Sequence, residues 1–356
     1  MPSAIITGWG RCVPPAVLSN ADLETVTDTS DDWITTRTGI KERRISHAEV
    51  SDLSTVAARH ALAAAGLEPG DIDLIVVATC TPDRMVPSAA ATVQGKLGAN
   101  RAAAMDLNAA CSGFLFALAT VDQMIRTGAM RRVLVVGAEK LSYWLDFSNR
   151  ATCVLFGDGA GAVVIEASDE DGGLLAFELG SDGTAGNLLR VPGSGTEGAP
   201  GVKDHPSILM EGQEVFRRAV TAMGDSSARV VEKAGLAVAD IDLLIPHQAN
   251  ARIIDATARR LSVDPAKVFV NIASYGNTSA ATIPIALSEA LDDGRVTAGA
   301  NLLFAAFGGG FTWAAAVYRW GERVTPLGTS DAALAPSKAT ALELLAPHIA
   351  LHGKGI

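Results

Sequence analysis

Cysteine is scarce in this chain and thinly spread, with Cys12, Cys80, Cys111 and Cys153 as its four representatives. They form no CxxC pair and no short Cys/His cluster, so neither a disulfide framework nor a zinc or other metal site is expected. Aromatic residues are also few, 5% of the chain, whereas glycine alone numbers 35, which points to close backbone packing. No basic run offsets the net charge of −10, and this argues against nucleic-acid binding as a main role. Apolar runs such as 74–80 and 133–138 fall far short of the roughly 20 residues that cross a bilayer. They suit buried strands instead. The opening Met1-Pro2-Ser3-Ala4-Ile5-Ile6 has no basic stretch followed by an apolar one, so no secretory signal is expected. These absences predict a soluble cytoplasmic protein with reduced thiols.

What is present is a large apolar content and a repeat. With 356 residues, 48% of them hydrophobic, the chain can bury an extensive core and divides into two domains or two fused halves. Ala65-Gly66-Leu67-Glu68-Pro69-Gly70-Asp71-Ile72-Asp73-Leu74-Ile75 resembles Ala234-Gly235-Leu236-Ala237-Val238-Ala239-Asp240-Ile241-Asp242-Leu243-Leu244 at an offset of 169 residues (234 − 65). Each copy reads as a helix (54–65 and 226–234), a glycine-ended turn and a buried strand. The strand-like runs 132–137 and 301–306 keep the same offset. Two copies of a β/α unit predict an α/β fold of two similar halves about a pseudo-twofold axis, with mixed or mainly parallel sheets covered by helices. The expected halves are 1–167 and 168–320, joined by an acidic connector at 168–173, with a C-terminal extension at 321–356. Residues 180–201, rich in Gly, Ser, Thr and Pro, read as a surface loop.

Cys111 is the most informative residue. It lies in Asn108-Ala109-Ala110-Cys111-Ser112-Gly113-Phe114, between a strand-like run at 102–107 and a helix-like run at 114–125. A cysteine there sits at the positive end of a new helix, where the dipole and free N–H groups favour the nucleophilic thiolate. Read alone it is more readily a small buried hydrophobe. The duplication supplies context. The second half has its own strand-to-helix junction, Ser274-Tyr275-Gly276-Asn277-Thr278-Ser279, so Cys111 and Asn277 take near-equivalent places. The strand 243–246 delivers His247 at its C-terminal end, where open α/β sheets place ligand sites.

A Cys, a His and an Asn in one cleft permit covalent catalysis on a thioester. His247 can hold Cys111 as thiolate, and His247 with Asn277 can donate to an oxygen that becomes negative. The N–H of Cys111 and the run Phe307-Gly308-Gly309-Gly310-Phe311 offer backbone donors. Singly, each has a blander reading: a structural histidine, a turn asparagine, a tight glycine bend. Gly157-Asp158-Gly159-Ala160-Gly161 lacks the Lys-Ser/Thr ending of a phosphate loop and reads as strand–helix packing.

With these residues in hand, the chain resembles the β-ketoacyl-ACP synthase III family of thiolase-like condensing enzymes over about residues 3–320. The matching runs are Thr29 to Ile40 (TSDDWITTRTGI), Asn108 to Gly113, Phe156 to Ala162, His247-Gln248-Ala249-Asn250, Gly276 to Ala281 and Phe307 to Trp313. The resemblance implies a layered α-β-α-β-α thiolase-like fold and a homodimer. It implies that Cys111 accepts an acyl group from acyl-CoA and that His247 and Asn277 stabilise the enolate formed as malonyl-ACP loses CO2. The N–H groups of Cys111 and Gly309 would form the oxyanion hole and Phe307 would shield the site. Trp33 and Arg150 would sandwich the CoA adenine, with Arg37 and Thr38 near the nucleotide and Asn250 along the pantetheine path. Arg217, Arg252 and Arg218 would face the acidic carrier protein. Coenzyme A enters as a substrate thioester, and no cofactor or metal is implied.

The chain departs from the family at several points. Val86 stands where several relatives carry Phe as the cap of the acyl pocket across the dimer, so a roomier pocket is expected. Asn149 replaces a usual Asp before Arg150. The run 141–147 with Leu141, Tyr143 and Trp144 is bulky and expected to shape the pocket. In the tail, one short helix is expected over 338–345, stopped before Pro347. Transfer of the acyl group to a hydroxyl, amine or other non-malonyl acceptor remains the enzymatic alternative. A papain-like hydrolase is disfavoured by the duplicated frame, and an inactive partner subunit by retention of all three polar residues.

Overall fold

The structure, a computed structural model, describes residues 2–196 and 206–352. The end of the expected 180–201 loop and residues 353–356 of the tail lie outside the described residues.

Leu74–Ala78 reads LIVVA and is buried at every position, as a strand covered on both faces must be. It runs parallel to Ala103–Leu107 on one side and to Arg132–Lys140 on the other. Asp158–Ser168 and then Ser3–Cys12 continue the sheet antiparallel, making five strands. A second sheet has four: Leu243–Pro246 lies parallel to Asn301–Gly308, and Thr312–Arg319 and Gly173–Ser181 follow antiparallel. Both sheets are therefore mixed.

Two apolar helices, Gly113–Arg126 and Thr282–Asp292, lie between the sheets. They share one core with Val76, Val135 and Val163 of the first sheet and Ile245, Leu302 and Phe304 of the second. The helices Val50–Ala65 and Ala89–Leu97 pack on the outer face of the first sheet. Gly212–Lys233 and Ala251–Leu261 pack on that of the second. The result is the five-layered α-β-α-β-α arrangement. Small residues set its spacing: a Cβ on Gly161 would lie 2.6 Å from the backbone nitrogen of Ile285. That run is the close strand–helix packing expected of it. Among the described residues, no helix is long and apolar enough to cross a membrane.

The offset of 169 residues carries into the structure. Leu74 and Leu243, Arg132 and Asn301, and Gly113 and Thr282 each open matched elements. The helices ahead of the repeated sequence start earlier than expected, at Val50 and Gly212. Ala103–Leu107 has no full counterpart; the isolated bridge Leu244–Val268 occupies its place.

The tail crosses back over the first half. Leu327 donates its N–H to Ala64, and His60 and His47 meet the carbonyls of Ala332 and Ala335 at 3.0 and 2.7 Å. It closes in a helix, Ala341–His352, that runs through Pro347 rather than stopping before it. Thr340 caps it, accepting from the Glu343 N–H at 3.2 Å while its own N–H donates to the Glu343 carboxylate at 2.7 Å. Proline forfeits one intrahelical bond. The apolar stripe Ala341, Leu345 and Ile349 continues past it onto a cluster that holds Leu141 and Leu145, and this packing keeps the helix going.

Candidate active site

Strand Ala103–Leu107 hands over to a turn whose geometry is set by Asn108. Its side-chain oxygen accepts the N–H of Ala110 at 3.1 Å. Ala110 sits at φ +48°, a region that costs an alanine energy and marks a site held by its surroundings. Cys111 follows on a short 3-10 turn, Ala110–Ser112, that leads directly into helix Gly113–Arg126. The end of strand Asn301–Gly308 presses against it: a Cβ on Gly308 would lie 2.6 Å from the Cys111 nitrogen. Only a glycine permits that approach. The N–H groups of Cys111 and Gly309 point at the Cys111 sulfur, and the Ser279 hydroxyl is hydrogen-bonded to it.

These donors do not make a resting thiolate. Burial pushes the Cys111 thiol up to about 11, and the nearby Glu139 carboxylate also disfavours its ionisation. The expectation of a resting thiolate is thus corrected, because loss of water outweighs the hydrogen bonds at the sulfur. A second correction concerns His247, which is 1% exposed. Its burial lowers it to about 3, so it is neutral near pH 7 and holds no imidazolium beside the sulfur.

His247 directly follows strand Leu243–Pro246 and donates its backbone N–H to the Ala305 carbonyl at 2.8 Å. Its Nδ1 lies 2.7 Å from the Thr282 hydroxyl, which also reaches the Ser279 carbonyl at 3.0 Å. A neutral imidazole carries one N–H. The Thr282 hydroxyl has one proton: given to the Ser279 carbonyl, it leaves Thr282 to accept from Nδ1–H, and turned to Nδ1 instead, it leaves the imidazole proton on Nε2. Asn277 is buried, and its side-chain oxygen accepts the Ser279 N–H at 2.8 Å, which leaves its amide N–H groups to donate. Its main chain is pinned to Leu155 and Gly157 at 2.9 and 3.0 Å.

Cys111 stands where two cavities meet. One, about 290 Å³, is lined by Cys111, Leu141, Trp144, Ile208 and Gly309. The other, about 100 Å³, is lined by Cys111, His247, Asn250, Asn277 and Phe307. Leu141 and Trp144 therefore face the first cavity, whereas His247 and Asn277 face the second. Phe307 is buried, its ring 4.8 Å from that of Phe311. Asn250 caps helix Ala251–Leu261 and ties it to the Arg37 carbonyl at 3.0 Å.

The remaining expected residues lie further out. The guanidinium groups of Arg37 and Arg150 sit 4.7 and 4.9 Å from the Trp33 ring centre. Arg150 is tethered to the Asp28 carbonyl at 2.8 Å, while Asn149 caps the turn Arg150–Cys153. Thr38 is buried, and its hydroxyl serves its own helix end, donating to Ile34 and accepting from Ile40. Arg217 and Arg218 both pair with Glu214 at 2.7 Å, and Arg252 lies over Phe216. Val86 is 85% exposed and lines neither of the cavities at Cys111.

Three polar residues at the site escaped the sequence reading: Glu139, Ser279 and Thr282. The signal for Glu139 was a charge at the end of the apolar run Arg132–Lys140. Ser279 and Thr282 stand at or beside the Gly276 to Ala281 run.

Two family models match the chain, 3-oxoacyl-[acyl-carrier-protein] synthase III over residues 105–183 and its C-terminal counterpart over 231–320. A Vibrio vulnificus protein named β-ketoacyl-[acyl-carrier-protein] synthase III 2 is 52% identical over 350 residues, 98% of this chain and 97% of its own. A Roseiflexus castenholzii β-ketoacyl-[acyl-carrier-protein] synthase III is 51% identical over 89% of this chain and 98% of its own. The crystal structure of 3-oxoacyl-[acyl-carrier-protein] synthase III from Aquifex aeolicus superposes with a TM-score of 0.85 at 47% identity, covering 89% of this chain and all of that one.

Proposed function

The chain belongs to the β-ketoacyl-[acyl-carrier-protein] synthase III family, and from that premise we propose that it joins an acyl group from acyl-CoA to malonyl-ACP, with loss of CO2, to give β-ketoacyl-ACP. It is an acyltransferase. The observation that carries the reading is the position of Cys111 at the junction of two cavities, one apolar and one holding His247 and Asn277.

Cys111 attacks the acyl-CoA carbonyl, and the N–H groups of Cys111 and Gly309 hold the oxyanion. The acyl chain enters the cavity beside Leu141 and Trp144. Trp33 offers its face to the adenine once Arg150, which stacks directly on that ring at 4.9 Å, swings outward to close from the other side, with Arg37 near the phosphates. Asn250 lines the path of the pantetheine arm. Malonyl-ACP then takes the smaller cavity, delivered by a carrier that docks at Arg217 and Arg252. His247, donating from Nε2, and Asn277, from its amide, stabilise the enolate as CO2 leaves. The buried ring of Phe307 keeps water from the departing carboxylate. The enolate carbon attacks the Cys111 thioester and releases the product.

The working form is a homodimer in the cytoplasm. Exposed Met85 and Val86 belong to the loop that would cap a partner's acyl cavity. Valine there leaves room for branched or longer primers, and turnover restricted to acetyl-CoA would sink that expectation.

Intact mass after incubation with a panel of acyl-CoAs, followed by malonyl-ACP, tests the reading. The expected result is one acyl group on Cys111, absent in Cys111→Ala and removed by malonyl-ACP with CO2 release. An acyl group that loads but resists malonyl-ACP would move the assignment to transfer onto a hydroxyl or amine acceptor.

A further inference from the structure

The neutral state of His247 leaves a question of where the Cys111 proton goes during acyl transfer. We propose that Glu139 accepts it, reached through the hydroxyl of Ser279. The proposal rests on the acyl-CoA reading above.

Glu139 is the penultimate residue of strand Arg132–Lys140 and has no exposed surface. Its carboxylate accepts the hydroxyl of Ser279 at 3.1 Å, that of Thr81 at 2.5 Å and that of Thr79 at 3.2 Å. The N–H groups of Cys80 and Thr81 reach it at 3.2 and 3.1 Å, and the Cys80 thiol at 3.3 Å. Burial raises its proton affinity above the ordinary carboxylate value, and the hydrogen bonds from Thr81, Cys80 and Ser279 oppose that by favouring the ionised form, the state in which it can accept a proton. Ser279 is also hydrogen-bonded to the Cys111 sulfur. Because its hydroxyl donates to Glu139, its lone pairs face the thiol, and the chain reads S–H to O–H to carboxylate. Ser279 adopts φ +50°, a conformation that side chains other than glycine rarely take. Strain of this kind persists where the surroundings fix a residue for a task.

In the step, the Cys111 S–H bond breaks as sulfur bonds to the acyl carbonyl carbon. The proton passes to Ser279 Oγ while the Ser279 proton passes to Glu139 Oε1. When the tetrahedral species collapses, the C–S bond to coenzyme A breaks. The proton returns along the same path to the departing sulfur, and Glu139 regains its charge. One thioester is exchanged for another with no net proton change. The pocket holds one negative charge throughout, so repulsion between a thiolate and an ionised Glu139 is avoided. The titratable groups facing Glu139 are the Cys80 and Cys111 thiols, and neither supplies a competing base.

The test is Glu139→Gln, with Cys111 acylation followed by intact mass from pH 6 to 10. A proton acceptor is worth about 10²–10⁴ in rate. The variant should acylate at least about 100-fold more slowly at pH 7 and recover as rising pH ionises the thiol directly. Its decarboxylation of malonyl-ACP, which does not use Cys111 as nucleophile, should stay within a few-fold of the parent. If Glu139→Gln does not fold, Ser279→Ala interrupts the same chain and should give the same pH-dependent loss. Acylation as fast as the parent, or faster because a negative charge has gone, would overturn the relay. Alkylation of Cys111 by iodoacetamide carries the same prediction without coenzyme A. A parent enzyme that never loads acyl-CoA would therefore refute the functional reading, and alkylation would still decide the relay.

Discussion

The turns Asn108 to Gly113 and Asn277 to Thr282 are one structure built twice, 169 residues apart (277 − 108). In each, the asparagine oxygen accepts the N–H two residues on, at 3.1 Å in the first and 2.8 Å in the second. In each, that next residue lies in the left-handed region, Ala110 at φ +48° and Ser279 at +50°. A 3-10 turn and a central helix follow in both. The side chains then diverge. Cys111 in the first turn faces Ala280 as its equivalent in the second. Ala110 corresponds to Ser279. Ala78 and Gly113 correspond to His247 and Thr282, so a contact between small residues in one half is a hydrogen-bonded pair in the other. The symmetry fixes where backbone can approach; substitution places the thiol on one turn and the polar side chains of Asn277, Ser279 and Thr282 on the other, which on the proposed function is a division of labour.

The comparison can be broken at Thr282. Thr282→Val removes the hydroxyl bonded to His247 Nδ1, and should slow malonyl-ACP decarboxylation about 10–100-fold by freeing the ring orientation and tautomer. Thr282→Ser should restore it, and Cys111 acylation should be untouched. Equal loss in Thr282→Val and Thr282→Ser would show that the methyl group, not the hydroxyl, matters.

How much of this was readable in the sequence differs by level. The repeated Asp-Ile-Asp-Leu runs at 71–74 and 240–243 carried the duplication, because a buried strand after a glycine turn leaves a strong pattern. Cys111, His247 and Asn277 do meet at one pair of cavities. Charge state was not readable, since the helix-end argument takes no account of burial, and burial decides both Cys111 and His247. Glu139 was hidden because its partners, Thr81 and Ser279, are 58 and 140 residues away in sequence. The tail helix outran Pro347 because a local breaker rule competes with an apolar stripe whose partners lie in the first half.

Two further results sharpen the contrast between the turns. His247 has its folded value near 3 against an ordinary 6.5. Below pH 6.5 the unfolded chain binds a proton that the folded chain refuses, so stability present above that pH is lost as pH falls from about 6.5 toward 3. Acid titration of unfolding should therefore be shallower across that window in His247→Gln; an unchanged slope would place the acid sensitivity elsewhere. The smallest effect is expected at Ala110. Ala110→Gly relieves the left-handed conformation and should stabilise the protein by about 1 kcal/mol, read as a higher Tm. A lower Tm would mean that the alanine methyl packs more favourably than its backbone suffers.

The central claim is a division of labour, and the two half-reactions test it most directly. Acyl-CoA loading and malonyl-ACP decarboxylation should be measured separately in Cys111→Ala and Asn277→Ala. The account predicts that Cys111→Ala abolishes loading yet still decarboxylates, while Asn277→Ala loads normally and loses about 10²–10³ in decarboxylation. Loss of both half-reactions in each variant would contradict it, because the two turns would then act as one indivisible site.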